Sequence, residues 1–231
     1  MLQYATRIRT HKAVSQEKKI QPRKTPRQRR SQETVAAILE ASARILERDG
    51  LSGFNTNAVA LCAGVSIGSL YQFFPSKNAI LVALIEKYET VMYVQFRETF
   101  NRIHGCSLEH SLQMLIRTMV ETHRDRPALH RILEAAEDRL LGDATWQPLD
   151  YRLKDMLVNM LREHRDSVQV RCRPEVADDL ICIVRALINA ALERGETRWK
   201  GMEKRLMRAV KGYLLISARN AGDTNRQAKF A

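Results

Sequence analysis

Little in this chain points toward a membrane, a secretory route or an enzyme. No stretch of its 231 residues is long and apolar enough to span a bilayer, so no membrane partner is predicted. Residues 1–30 lack the apolar run of a secretory leader. Cysteine is scarce: Cys62, Cys106, Cys172 and Cys182 are far apart and lack the paired spacing of a zinc site or a disulfide framework. That fits incidental thiols in a reducing cytoplasm, where the protein is expected to reside. His104, His110, His123, His130 and His164 form no metal-binding pair at helical spacing, and neither a metal nor another cofactor is predicted. There is no nucleophile elbow, no phosphate loop and no pair of catalytic carboxylates, which argues against an enzyme. Strand patterns and internal repeats are missing too. What remains is an all-α reading.

Charge is what the chain has in excess. The formal net charge is +12, with a pI near 9.9. Residues 1–30 hold ten lysines and arginines against Glu17 alone, and so carry nine of those charges. A basic, apolar-poor arm of this kind is expected to be disordered when free and to be attracted to a polyanion.

Just beyond it, residues 55–77 read as two short helices joined by a tight turn, then the capped start of a third. Asn55 or Thr56 would cap the first. Val59, Ala60 and Ala63 share one face of it, and Gly64 sits where the chain must turn sharply. Val65 would fill the angle between the helices. Ser66 would cap the second, with Leu70, Phe73 and Phe74 inward and Ile67, Gly68, Ser69, Tyr71 and Gln72 outward. Pro75 stops it, Ser76 would cap the next helix, and Lys77 falls in that helix's first turn. This is a helix-turn-helix, which lays its second helix in the DNA major groove. A cation at a helix N-terminus opposes the helix dipole, so Lys77 makes sense beside a phosphate.

The run from Ala63 to Lys77, together with the preceding Thr34-Val35, Ile38-Leu39, Ala41, Ala43, Ile45-Leu46 and Gly50, resembles the signature of the TetR/AcrR transcriptional regulators over about residues 27–90. Val59 stands where isoleucine is common, and Cys62 where a polar or small residue is usual. The resemblance implies that Thr56 and Asn57 touch the DNA backbone or groove edge. It also implies that Ser66, Ile67, Gly68 and Ser69 face the DNA at the start of the recognition helix, and that Tyr71 and Lys77 hold phosphates. Gln72 is the best candidate for a directional hydrogen bond to a base.

The remaining two-thirds is helical in pattern. Val35, Ile38, Leu39, Ser42, Ile45 and Leu46 form a stripe on a first helix expected to start near Thr25 or Ser31. A long helix over 76–103 carries Ile80, Leu81, Leu84, Ile85, Tyr88, Val91, Met92, Phe96, Phe100 and Ile103 at helical period, linking head to body. Gly105, Pro127, Gly142, Pro148, Pro174 and Gly195 punctuate the helices that follow. The last two carry broad apolar faces, and Leu180, Val184, Leu187, Ile188, Ala191, Leu206, Val210, Tyr213 and Leu214 are the candidates to join a second copy in a four-helix bundle. A twofold dimer would match a palindromic operator.

The family resemblance also implies a small-molecule pocket, for which Met92, Phe96, Phe100, Met114, Met119, Trp146, Met156 and Met160 are candidates. The expected organisation is therefore a basic arm over 1–24 and a three-helix head with the helix-turn-helix over 25–75. A helical ligand-binding and dimerisation body over 76–217 and a tail over 218–231 would follow. The expected function is a transcriptional regulator, in the family's usual manner a repressor released from operator DNA by an effector. The alternative is a DNA-organising or adaptor protein that uses the same motif without a small ligand.

Overall fold

The computed structural model describes residues 29–141, 149–170, 173–196 and 198–215. Among these residues there are nine α-helices, one 3-10 turn at Arg165–Ser167, and no strand. None of the helices is long and apolar enough to cross a membrane.

Helix α1 (Arg29–Gly53) buries Ile38, Leu39, Ser42, Ile45 and Leu46 along one stripe. The Ser42 hydroxyl is satisfied by donating to the Ile38 carbonyl at 2.7 Å. Helical geometry breaks at Gly50, whose φ of 65° and ψ of −166° turn the chain. The expected starts at Thr25-Pro26 lie outside the described residues, and Ser31 is already inside the helix.

Each following helix begins on a side-chain cap. Asn55 opens α2 (Thr56–Ala63), its Oδ1 accepting the Ala58 N–H at 2.9 Å. Ser66 opens α3 (Ile67–Phe73), its hydroxyl accepting the Ser69 N–H at 3.0 Å. Ser76 opens α4 (Lys77–Ile103) through the Ala79 N–H at 3.2 Å, and Ser107 opens α5 (Leu108–Asp125) through the His110 N–H at 3.3 Å. Such caps pair N–H groups that the first helical turn leaves orphaned. The remaining helices are α6 (Pro127–Leu141), α7 (Leu149–Glu163), α8 (Pro174–Glu193) and α9 (Trp199–Leu215).

The chain packs as two compact units, and the division falls inside α4, between Tyr88 and Glu89. The first unit holds α1, α2, α3, the first half of α4 and, from Ala128, α6. Its core brings Ile38, Leu46, Phe54, Val59, Leu70, Phe74, Ile80 and Leu84 together with Leu129, Leu133 and Ala136 of α6. Tyr88 and His130 meet edge to face, with ring centroids 5.4 Å apart. The unit that carries the helix-turn-helix is thus larger than residues 25–75, because α6 returns to complete its core.

The second unit holds the rest of α4 with α5, α7, α8 and α9. Phe96, Ile103, Leu112, Leu161, Ile188 and Met202 lie in its core. Inside it the Thr99 and Thr118 hydroxyls bond at 2.8 Å, and Thr99 also donates to the Gln95 carbonyl at 2.9 Å. At its surface Lys154 pairs with Asp178, and Lys211 with Glu109.

Two apolar stripes differ from expectation. Val91 keeps helical period but is 50% exposed. Leu180, Ile188, Ala191, Leu206, Val210 and Leu214, expected to face a second copy, are each 3% exposed or less within the single chain. They face α8, α9 and their neighbours in the same core, so they are not available to a partner. Val184, Leu187 and Tyr213 are half-buried. Periodicity identifies a buried face but not whose surface covers it.

Two expected outcomes follow from this packing. Gly64 has φ 67°, and a Cβ there would meet nothing within 4 Å, so Gly64→Ala should cost the left-handed backbone penalty alone. That loss is about 1–2 kcal/mol and is readable by urea unfolding. The Tyr213 hydroxyl donates to Asp179, and this bond and burial raise it to about 12 from its model value of 10.0. The native state then holds the phenolic proton more tightly than the unfolded chain does. The contribution is complete below pH about 10 and is lost as pH rises through about 12. Tyr213→Phe should flatten that part of the stability profile, measured by urea unfolding at successive pH values.

Candidate nucleic-acid interface and ligand cavity

The recognition surface is set by which residues of α3 the first core takes. Leu70 and Phe74 are fully buried and Phe73 is half-buried, which anchors one side of the helix. Ile67, Gly68, Tyr71 and Gln72 are left exposed, while Ser69 is half-buried and its hydroxyl bonds that of Ser66 at 2.8 Å. A Cβ on Gly68 would meet only the Ser66 Oγ, at 3.8 Å. Internal packing therefore does not demand glycine there, and what glycine does is leave backbone open at the helix start.

Thr56 and Tyr71 are brought together across the turn. Their hydroxyls lie 3.2 Å apart, one on the first turn of α2 and the other on α3. A phosphate oxygen bridging two such hydroxyls would receive two donors at once. Asn57 is exposed beside Thr56. Lys77 is exposed at the start of α4 and has no carboxylate partner among the described residues. Arg44 and Arg48 of α1, by contrast, are paired with Glu40 and Asp49. Of these three cations, Lys77 is the one left uncompensated for an external anion.

The sequence reading passed over Leu61. It is 85% exposed, one turn beyond Asn57 on the same face of α2. An isolated leucine in an amphipathic run reads as core, so only its exposure singles it out.

The second unit encloses a cavity of about 80 Å³. Phe96 and Phe100 of α4 line it with Leu112, Leu115, Ile116 and Met119 of α5, Leu153 and Leu157 of α7, Leu180, Ile181 and Val184 of α8, and Val210 of α9. All of these side chains are apolar. Of the candidates expected from sequence, Phe96, Phe100 and Met119 are walls. Met92, Met114 and Met156 pack half-buried against the surrounding core, and Met160 is buried within it. Trp146 lies outside the described residues. The leucine and valine walls were not separable from ordinary core in the sequence, because a cavity is a deficit of packing rather than a residue type. Among the described residues, no group of histidine, cysteine and carboxylate side chains could hold a metal ion.

With this geometry in view, comparisons with known proteins identify the class. Residues 38–84 match the family model for bacterial regulatory proteins of the tetR family, and residues 107–214 match that for tetracyclin repressor-like C-terminal domains. Together the matches span about two thirds of the chain. The chain belongs to the TetR family, and its fold is that of a DNA-binding transcriptional regulator.

Among curated relatives, the nucleoid occlusion factor SlmA of Haemophilus ducreyi is 29% identical over 48% of this chain and 52% of its own length. SlmA of Alteromonas mediterranea is 29% identical over 71% of this chain and 86% of its own. The chain thus spans about half the length of the first of these relatives. A solved TetR-family transcriptional regulator from Pectobacterium atrosepticum shares the fold at a TM-score of 0.60 and 15% identity, covering 83% of this chain and 100% of that one.

The Thr56–Tyr71 pair gives a direct test. Thr56→Val and Tyr71→Phe should each weaken binding to duplex DNA, and the double variant should lose less than the sum of the two. Fluorescence anisotropy on one duplex checks this; additive losses would mean the hydroxyls act apart.

Proposed function

We propose that the protein is a homodimeric repressor that binds a palindromic operator and is released by a small apolar effector. The observation that carries this reading is the pairing of two features in one chain. A recognition helix is exposed at Ile67, Gly68, Tyr71 and Gln72, and an apolar cavity lies in the second compact unit. Helix α4 contributes Ile80 and Leu84 to the core beneath the recognition helix, and Phe96 and Phe100 to the cavity wall.

In this reading Gln72 reads a base edge, Ile67 meets a thymine methyl, and Lys77 with the Thr56–Tyr71 pair holds phosphates. A dimer must place two such helices about 34–36 Å apart to engage both half-sites. A ligand that fits the cavity better in one arrangement of α4 shifts the population toward it. It releases DNA only to the extent of that differential affinity.

The similarity to nucleoid occlusion factors supports a second reading, in which the protein organises DNA without a small ligand. The basic excess of residues 1–30 suits that role as well.

Selection of bound sequences from random duplex DNA separates the two. A palindromic consensus is expected for the repressor, whereas broad recovery with binding that vanishes as salt rises would favour the organiser. On the selected operator, Lys77→Ala should weaken all sequences alike and lower the salt slope by about one phosphate. Gln72→Ala should relax preference at one base pair by about 1–3 kcal/mol. Equal losses on operator and random DNA would remove Gln72 from the base-reading set.

A further inference from the structure

The cavity can take the apolar part of a ligand but can satisfy no polar group. None of its walls carries a hydrogen-bonding side chain, and an unpaired polar group buried there would carry its full desolvation cost. The volume of about 80 Å³ is also below the ~150 Å³ of an engineered site that admits benzene. It suits a slim alkyl chain better than a fused ring, and Met119 gives one wall some freedom to adapt.

One turn from these walls the same two helices hold a cation. Arg152 immediately precedes the wall residue Leu153 on α7. Its guanidinium carbon lies 3.7 Å from the centroid of the Tyr93 ring. Tyr93 is one turn before the wall residue Phe96 on α4, and it packs against the same apolar cluster. Arg152 is half-buried and has no carboxylate partner among the described residues, whereas nearby Lys154 is paired with Asp178. Stacking occupies the face of a guanidinium and leaves its in-plane N–H donors free, in a fork that matches a carboxylate. The ring contact also orders the side chain in advance, so less rotamer freedom is lost when an anion arrives.

We propose that the cavity's ligand is an amphipathic carboxylate, with a slim apolar tail between α4, α5, α7 and α8 and its head group held by Arg152. This rests on the effector reading above and adds the charge of the ligand and the residue that reads it.

The test uses the full chain, calorimetric titration, and decanoate, 1-decanol and decylamine below their micelle concentrations, with circular dichroism to check that the fold is retained. Decanoate is expected to bind about tenfold or more tightly than 1-decanol, as one charged hydrogen bond implies. Arg152→Gln should bring decanoate down to the alcohol's level and leave the alcohol unchanged. Arg152→Lys should recover part of the preference, and Val184→Phe, which fills the cavity, should weaken both ligands.

Equal binding of decanoate and 1-decanol, a preference that survives Arg152→Gln, or a preference for decylamine would overturn the proposal. If the alcohol nonetheless releases operator DNA, the effector reading still stands. Failure of all three to bind would remove the proposal together with the cavity as a ligand site. Selective decanoate binding that leaves operator affinity unchanged would keep the carboxylate site and remove the effector reading.

Discussion

The two cores share one helix, and that continuity constrains everything else in the chain. Between Lys77 and Ile103 there is neither proline nor glycine, so α4 has no residue at which it bends cheaply. Its first half is committed to the core that seats the recognition helix, through Ile80, Leu84 and Ile85. Its second half is committed to the core that encloses the cavity, through Phe96 and Ile103. A displacement of Phe96 and Phe100 that leaves the helix intact must therefore be accommodated among Leu70, Phe74 and their neighbours. Close-packed interiors do not absorb such movements gradually.

The helix-turn-helix was legible because its determinants are local. Asn55, Gly64, Ser66 and Ser76 each act within four residues of chain, as caps or as a turn with positive φ, and the geometry matches their residue types. The return of α6 to the first core was not legible. Leu129, Leu133 and Ala136 form an ordinary amphipathic stripe, and nothing in it names its partner. The same limit explains the stripes on α8 and α9. Leu180, Leu206 and Leu214 were expected to meet a second copy, yet they close the chain's own interior. The expectation of methionines around a pocket held for Met119 alone, because leucine, isoleucine and valine make most of the wall.

Electrostatics divides the surface in a way that composition conceals. Most of the net charge lies in residues 1–30, yet the cations with specific geometry lie elsewhere. Arg44, Arg48, Arg117 and Lys154 each face a carboxylate. Lys77 and Arg152 have none among the described residues. One stands at the mouth of a helix beside the recognition surface and the other on an aromatic ring near the cavity. Uncompensated charge is thus kept at the two positions where an external anion would complete it.

The Thr99–Thr118 bond has a consequence for how α4 can move. Both hydroxyls lie inside the second core, Thr99 is 4% exposed, and the bond crosses from α4 to α5. Sliding one helix along the other by a fraction of a turn would strand a buried hydroxyl, at a cost of about 1–3 kcal/mol. Small slips are therefore penalised before any new packing is reached. The bond acts as a detent: α4 and α5 travel together as a pair, or they pass one another in a discrete step.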